Sequence, residues 1–171
     1  MAPHPTFRHC KSSPNLGEPL KLNVLLFMRL LSNQRPSSRY YGFLFFANLV
    51  KDFGEDAKIA PVLSLDGPSV VHYAIYSSDS KTPQKLVIMN LEFSNATIAR
   101  QQRTFDVSPA LGQQVKVTRL TGPSSDATSG ISWAGQTVDG EGSIVGVETY
   151  EYPADGVVSV GSSEAVIVEK A

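Results

Sequence analysis

The hydrophobic positions of the chain change from a helical to a strand-like pattern near residue 54. Residues 39–53 form a run that is apolar on almost every side of a helix. Such a helix belongs inside a larger protein, because a helix at the surface of a small domain keeps a polar face. Ser37 or Ser38 can cap its start, and Gly54 can end it. The pattern therefore predicts one helix, of the buried type, over residues 38–54.

From residue 58 onward, short apolar runs alternate with turn residues, and this pattern predicts an all-β domain. The strongest run, 85–93, is apolar on both faces in its first half, which indicates a central strand. The short strands and their spacing predict a two-sheet antiparallel β-sandwich of about eight strands over residues 58–171. The predicted strands lie at 59–65, 70–76, 85–93, 103–107, 114–120, 144–152, 156–160 and 165–169.

Residues 1–37 have a different composition from the rest of the chain. They contain five prolines, and Ser and Arg are frequent, so they do not provide a core. We expect a disordered or unpacked segment, with at most a short helix at 20–32. The apolar run at 22–31 is interrupted by Arg29 and is too short to span a bilayer. It also lacks the early position and the trailing small residues of a cleavable signal peptide.

Composition argues against several classes of function. The 15 basic and 16 acidic residues nearly cancel, so no basic surface is predicted that would bind nucleic acid. The single cysteine, Cys10, excludes an internal disulfide framework and a cysteine-based zinc site. Residues 139–143 place oxygen side chains at alternate positions but lack the further ligands of a calcium loop, which favours a hairpin turn. We therefore expect no metal and no cofactor.

No catalytic residue can be assigned within the β region. His72 lies in the middle of a predicted strand, and no Gly-x-Ser-x-Gly motif accompanies it. The carboxylates are scattered, and nothing in the sequence pairs two of them across a cleft, as glycoside hydrolysis requires. We interpret His72 as an ordinary strand residue and the carboxylates as surface charges.

Two positions are candidates for functions other than catalysis. Asn95-Ala-Thr97 is an N-glycosylation sequon between two predicted strands, where a glycan could stand clear of the sheet. The long connection 121–142 contains the only tryptophan, Trp133. Its indole could contact a sugar, anchor the connection or fill a domain interface. We favour anchoring or interface packing, and expect the indole to pack on the sandwich or toward the 39–53 helix.

Several blocks of sequence resemble a known family. They include Tyr-Tyr-Gly-Phe-Leu-Phe-Phe-Ala at 40–47, Lys-Leu-Val-Ile-Met-Asn-Leu at 85–91 and, most specifically, Thr-Ser-Gly-Ile-Ser-Trp-Ala-Gly-Gln at 128–136. Over residues 39–171 the chain resembles the C-terminal domain of fungal β-glucuronidase-like proteins of glycoside hydrolase family 79, which includes heparanase. This resemblance implies a parent enzyme that is a retaining glycosidase, with two catalytic glutamates on a (β/α)₈ barrel and the β-sandwich packed against that barrel.

The resemblance implies that residues 39–53 are the last helix of the barrel, which is missing from this sequence. No catalytic glutamate can be transferred, because the barrel positions do not exist here. We therefore expect an accessory domain that is inactive alone, whose partner is the barrel and whose parent is extracellular. The location of this chain itself stays open. Where the helix would have met the barrel, some of Tyr40, Phe43, Phe46 and Val50 should be exposed and promote self-association.

A second hypothesis is a free-standing carbohydrate-binding or interaction module with a glycan as its ligand. A sugar-binding module displays several exposed aromatic side chains on one face, and here only Trp133 and the strand tyrosines are available for that role. We favour the accessory-domain hypothesis for this reason.

Overall fold

A computed structural model of the chain describes residues 38–53, 57–62 and 67–171. The predicted N-terminal segment 1–37 lies outside this range. Helix α1 is Ser38–Val50 and is followed by a turn that ends at Phe53. Helix α2 is the single turn Ser108–Leu111. The strands are β1 Lys58–Val62, β2 Val70–Tyr76, β3 Lys85–Asn90, β4 Gln102–Asp106, β5 Val115–Thr121, β6 Ser132–Trp133, β7 Thr137–Val138, β8 Ile144–Val145, β9 Val157–Gly161 and β10 Glu164–Lys170.

Six of the strands form one antiparallel sheet in the order β1-β2-β3-β10-β5-β6. Strands β4 and β9 pair as a two-stranded ribbon, and β7 and β8 pair as a hairpin. β3 lies between β2 and β10, inside the large sheet, as its run of apolar residues predicts. β1 and β6 form the two edges of this sheet.

One face of the six-stranded sheet is covered by the β4–β9 ribbon and by α2. Strand residues alternate between the two faces, so every second side chain of β5 and β10 enters this core. The ribbon and α2 contribute Phe105, Val107, Leu111, Val158 and Val160, and the sheet contributes Val70, Ile88, Val115, Val117, Val166 and Val168. This two-layer packing confirms the predicted β-sandwich.

The opposite face of the same sheet is covered by α1. Tyr41, Phe45 and Leu49 recur at every fourth position and therefore lie on one side of the helix, and Phe53 continues this spacing in the turn that follows. They pack on Trp133 and on the sheet residues Ile75, Val87 and Ile167. These three alternate along their strands with residues that point to the opposite face. The helix is thus an integral layer of this domain, with one side buried by the sheet.

The structure departs from the predicted strand pattern at two places. Residues 108–112, between the predicted strands 103–107 and 114–120, contain helix α2, where Asp106 Oδ1 accepts hydrogen bonds from Ser108 N at 2.9 Å and Ser108 Oγ at 2.6 Å. Pro109 then supplies a backbone angle that suits a first helical turn. The predicted strand 144–152 is only the two-residue β8, since Gly146 takes a φ of 105° and turns the chain away.

Candidate docking surface

The C-terminal end of α1 is fixed to the sheet by a buried lysine of β3. Lys85 is 4% exposed, and its Nζ lies 2.5 Å from Asp52 Oδ2 and 3.3 Å from Glu169 Oε2. The same ammonium donates to the main-chain oxygen of Asn48 at 3.3 Å and lies 5.5 Å from the centre of the Phe53 ring. A buried ammonium requires such partners to offset its lost hydration. The hydrogen bond from Lys85 in turn lowers the pKa of the Asp52 carboxyl group.

The N-terminal half of α1 is held by the segment that contains Trp133. The Tyr41 hydroxyl accepts a hydrogen bond from Val138 N at 2.8 Å. Trp133 is 4% exposed, and its indole stands edge-on to the Phe45 ring with 5.4 Å between centroids. The predicted packing of Trp133 toward the helix is therefore confirmed. An indole buried in this way does not present a face on which a sugar could stack.

A tight turn positions the indole. Trp133 N donates to Gln136 O at 2.9 Å, and Gln136 N donates to Trp133 O at 2.8 Å. The two residues between them, Ala134 and Gly135, have φ values of 51° and 78°. Positive φ at both central positions is typical of the type I′ hairpin turn. Ala134 is held there because its N donates to Arg119 O at 2.9 Å and its O accepts from Thr149 N at 2.7 Å.

The side of α1 that does not face the sheet exposes an aromatic ring. Phe46 is 52% exposed, whereas Tyr40, Phe43 and Val50 are half-buried. The prediction that this side is exposed therefore applies mainly to Phe46. The sheet covers only one side of α1, so the apolar ring of Phe46 is left in contact with water.

The neighbouring β7–β8 hairpin also exposes apolar side chains. Ile144 is 56% exposed, Val145 is 49% exposed and Val147 is 79% exposed. The hairpin adjoins α1 because Val138 of β7 is bonded to Tyr41. We call Phe46 and these three aliphatic residues, which lie on two separate elements, the docking surface. Exposed apolar side chains mark sites of association where they are contiguous.

Two of the carboxylates of the β region, Glu164 and Glu92, are engaged in ion pairs with arginines. Glu164 lies 2.8 Å from Arg100 and 2.9 Å from Arg119, measured between side-chain oxygens and nitrogens. Glu92 accepts from Arg103 Nε at 2.9 Å, and this hydrogen bond lowers the pKa of its carboxyl group. Five described carboxyl groups have a pKa that differs from its ordinary value, and in each the pKa is lowered: Asp52, Glu92, Asp106, Glu164 and Glu169. The acid of a glycosidase needs the opposite shift.

A cleft of about 500 Å³ opens between β2–β3 and the β4–α2 segment. The described residues that line it are mostly aliphatic and aromatic, and Asp106, the one carboxylate among them, accepts a hydrogen bond from the Ser108 hydroxyl. His72 lines the cleft too, with its half-buried ring edge-on to Phe105 at 5.1 Å. Among its described lining residues, the cleft therefore has no pair of carboxylates for glycoside hydrolysis.

The remaining candidate positions are placed as follows. Residues 139–143 form the hairpin turn that we predicted, with Asp139 Oδ1 accepting from Glu141 N at 2.9 Å and Ser143 N at 2.8 Å. The described part of the chain contains no group of three or more His, Cys, Asp or Glu side chains arranged to hold a metal ion. Over the same residues, no helix is long and apolar enough to cross a membrane. Asn95 lies in a half-exposed turn between β3 and β4.

Comparison with known families identifies the sandwich. Residues 72–167, more than half of the chain, match the model of the glycosyl hydrolase family 79 C-terminal beta domain. The match runs from β2 into β10 and so includes the ribbon, the Trp133 turn and the β7–β8 hairpin. A comparison with curated proteins gives no match.

Proposed function

Because the chain belongs to the family of the glycosyl hydrolase family 79 C-terminal beta domain, we propose that it is the accessory β-sandwich of a β-glucuronidase-type glycoside hydrolase. The enzymes that its sequence resembles are fungal and extracellular, and we extend both properties to this proposal. In such an enzyme the catalytic glutamates belong to a (β/α)₈ barrel. The role of the sandwich is to pack against that barrel and stabilise it.

The observation that supports this role is the uneven burial of α1. The helix is apolar on all sides, but the sheet covers only the side with Tyr41, Phe45, Leu49 and Phe53. Phe46 on the outer side remains 52% exposed. Packing this side among the outer helices of a barrel would remove the exposed ring from water. Such burial stabilises a complex by about 25 cal/mol per Å² of apolar surface. The β7–β8 hairpin would extend the same contact.

The charge arrangement supports a structural role for the sandwich. The buried carboxylate Glu164 is held by two arginines, and its low pKa keeps it ionised near neutral pH. An ionised carboxylate with two guanidinium partners cannot donate the proton that glycosidic bond cleavage requires. We therefore propose that these residues take no part in hydrolysis.

Co-expression tests the proposal. The full chain is produced with and without a separately encoded catalytic barrel of family 79, and each product is assayed with an aryl β-glucuronide. We expect no turnover by the chain alone, co-purification of the two polypeptides, and active enzyme only when the barrel is present. Phe46→Ser should weaken co-purification, whereas Asp79→Ser, a change of an exposed residue on the β2–β3 turn, should not.

Two results would contradict the proposal. The first is turnover by the chain alone that disappears when one of its carboxylates is changed. The second is saturable glycan binding by the chain alone, combined with failure to associate with the barrel. That second result would favour the free-standing carbohydrate-binding module.

A further inference from the structure

We propose that Asn95 carries an N-linked glycan and that the first N-acetylglucosamine of this glycan packs on the ring of Phe93. The inference rests on the extracellular location included in the proposed function. It does not depend on a barrel or on docking. Asn95-Ala-Thr97 is the only sequon in the sequence.

The backbone around the sequon is fixed to the rest of the domain through Ser94. Ser94 N donates to Ser125 Oγ at 2.7 Å, and Ser125 N donates to Ser94 O at 2.8 Å. The Ser94 side chain is buried, since the residue is 2% exposed. Phe93 and Asn95 flank this buried residue. Phe93 is 53% exposed and Asn95 is half-buried, so both side chains reach the surface of the domain on either side of Ser94.

The amide of Asn95 is oriented for attachment. Its Oδ1 accepts hydrogen bonds from Thr97 N at 2.9 Å, Thr97 Oγ1 at 2.9 Å and Ile98 N at 2.8 Å. Two main-chain N–H donors thus fix which end of the amide is oxygen. The amide group is planar, so Nδ2 points away from the turn. Within the described part of the chain, Nδ2 donates no hydrogen bond, and Nδ2 is the atom to which an N-glycan is joined.

Exposed apolar side chains flank the sequon on both sides in the sequence. Phe93 is 53% exposed, Leu91 is 61% exposed and Ile98 is 49% exposed. A depression of about 280 Å³ adjoins Phe93 and Leu91 and extends over the side chains of Met89 and Leu120. A pyranose has one face of C–H groups that packs well on an aromatic ring, whereas its hydroxyl groups face water. The first sugar can therefore cover Phe93 without burying unpaired polar groups.

The bond-forming step takes place while the chain enters the secretory pathway. Nδ2 of Asn95 attacks C1 of the first sugar of a lipid-linked diphosphate oligosaccharide. The new N–C1 bond replaces the bond between C1 and the phosphate oxygen, the lipid diphosphate leaves, and Nδ2 loses one proton. No electrons are exchanged with an oxidant or a reductant.

Occupancy is tested by directing the full chain into the secretory pathway of yeast behind a cleavable signal peptide. We expect a single glycan, removed by peptide N-glycosidase and located at Asn95 by peptide mass spectrometry. Asn95→Gln and Thr97→Ala should abolish it, whereas Thr97→Ser, which keeps the sequon, should retain it. Secreted chain with an unmodified Asn95 would overturn the proposal.

The role of Phe93 is tested by trimming the glycan to its first N-acetylglucosamine with an endoglycosidase. The trimmed chain is compared with chain of the same sequence made in bacteria. We expect the trimmed chain to melt about 2–4 °C higher, the shift that roughly 1 kcal/mol produces in a domain of this size. Phe93→Ser should abolish the difference between the two preparations, whereas Leu91→Ser, which keeps the ring, should preserve it.

Either of two outcomes would overturn the packing on Phe93. One is an equal melting temperature for trimmed and bacterial chains, and the other is an increase that persists in Phe93→Ser. Each comparison uses the same sequence with and without the sugar, so a general loss of stability in a variant cancels. No barrel enters these measurements, and their failure would leave the docking proposal standing.

Discussion

The ring of Phe45 stands close to perpendicular to the indole of Trp133, with an angle of 73° and 5.4 Å between their centroids. This edge-to-face contact joins α1 to the connection between β5 and β7, two segments that are far apart in sequence. Aromatic pairs in this geometry contribute about 0.5–1.5 kcal/mol beyond the apolar area that they bury. The pair is therefore one of the main contacts by which the helix and the sandwich form a single domain.

Removing the indole should destabilise the domain and loosen the connection around it. Trp133→Ala leaves a cavity beside Phe45, and we expect it to lower the free energy of unfolding by about 3–5 kcal/mol. Thermal denaturation measures this loss, and limited proteolysis should show new cleavage within 121–142. Trp133→Phe, which keeps a ring, should lose less. A Trp133→Ala chain of unchanged stability that no longer binds a glycan column would instead support the sugar-contact hypothesis.

Phe45 and Phe46 provide a matched pair of substitutions, because they are adjacent in sequence but 9% and 52% exposed. Phe45→Ser should lower the melting temperature strongly, since a buried aromatic residue is lost. Phe46→Ser should leave stability within about 0.5 kcal/mol and reduce self-association of the isolated chain. Differential scanning fluorimetry and light scattering measure the two effects. A destabilised, still associating Phe46→Ser chain would show that this ring is not the contact.

Lys85 should control the attachment of the C-terminal end of α1. Lys85→Ala leaves the Asn48 carbonyl and the Asp52 carboxylate without this partner, and we expect a loss of about 1–3 kcal/mol. Hydrogen exchange should become faster at the last turn of α1 than elsewhere in the domain. Lys51→Ala, which removes an exposed lysine from the same turn, is the control. Equal exchange rates in the two variants would contradict the role assigned to Lys85.

The ion pairs of Glu164 predict how stability depends on pH. Burial raises the pKa of this carboxyl group, but hydrogen bonds from Gly161 N and the Thr121 hydroxyl and the charges of Arg119 and Arg100 outweigh it. The net pKa is therefore below the ordinary value of 4.5. A carboxyl group whose pKa is lowered by folding stabilises the folded state above its unfolded pKa. That contribution is lost as the pH falls below 4.5 through the folded-state pKa.

We expect the free energy of unfolding, measured by urea titration, to decrease as the pH falls below about 4.5. In Glu164→Gln the free energy should be lower at neutral pH and should fall less steeply in acid, so the two curves approach each other. Glu141→Gln, a change in the exposed β7–β8 turn, should reproduce the original curve. Parallel curves for Glu164→Gln and the unchanged chain would mean that Glu164 does not contribute to the acid dependence.

The sequence predicts the presence of α1 but not the side by which it binds. A helix that is apolar all round has no polar stripe to mark its outer face, so the spacing of Tyr41, Phe45 and Leu49 becomes meaningful only beside the sheet. By contrast, the strands with clear alternation, such as β5, were placed to within a residue. Regular period-two burial explains that success.

The features that sequence reasoning missed depend on contacts between distant residues. The turn at Ala134 and Gly135 has no strong signal, because alanine is disfavoured at positive φ and is held there by Arg119 and Thr149. Lys85 is read from sequence as the polar start of a strand, and only the fold places Asp52 and Asn48 around it. The two-residue strand β6 lies within the predicted long connection and likewise exists because it pairs with β5.

The position of β10 has a consequence for synthesis of the protein. Glu164–Lys170 lies between β3 and β5, and pairs with both, although about 75 and 45 residues of chain separate it from them. As the ribosome moves from the amino to the carboxyl end, β3 and β5 emerge well before the strand that joins them. Both present open edges during this interval, which makes the nascent domain vulnerable to aggregation. A chaperone that shields strand edges would help most before residue 164 is translated.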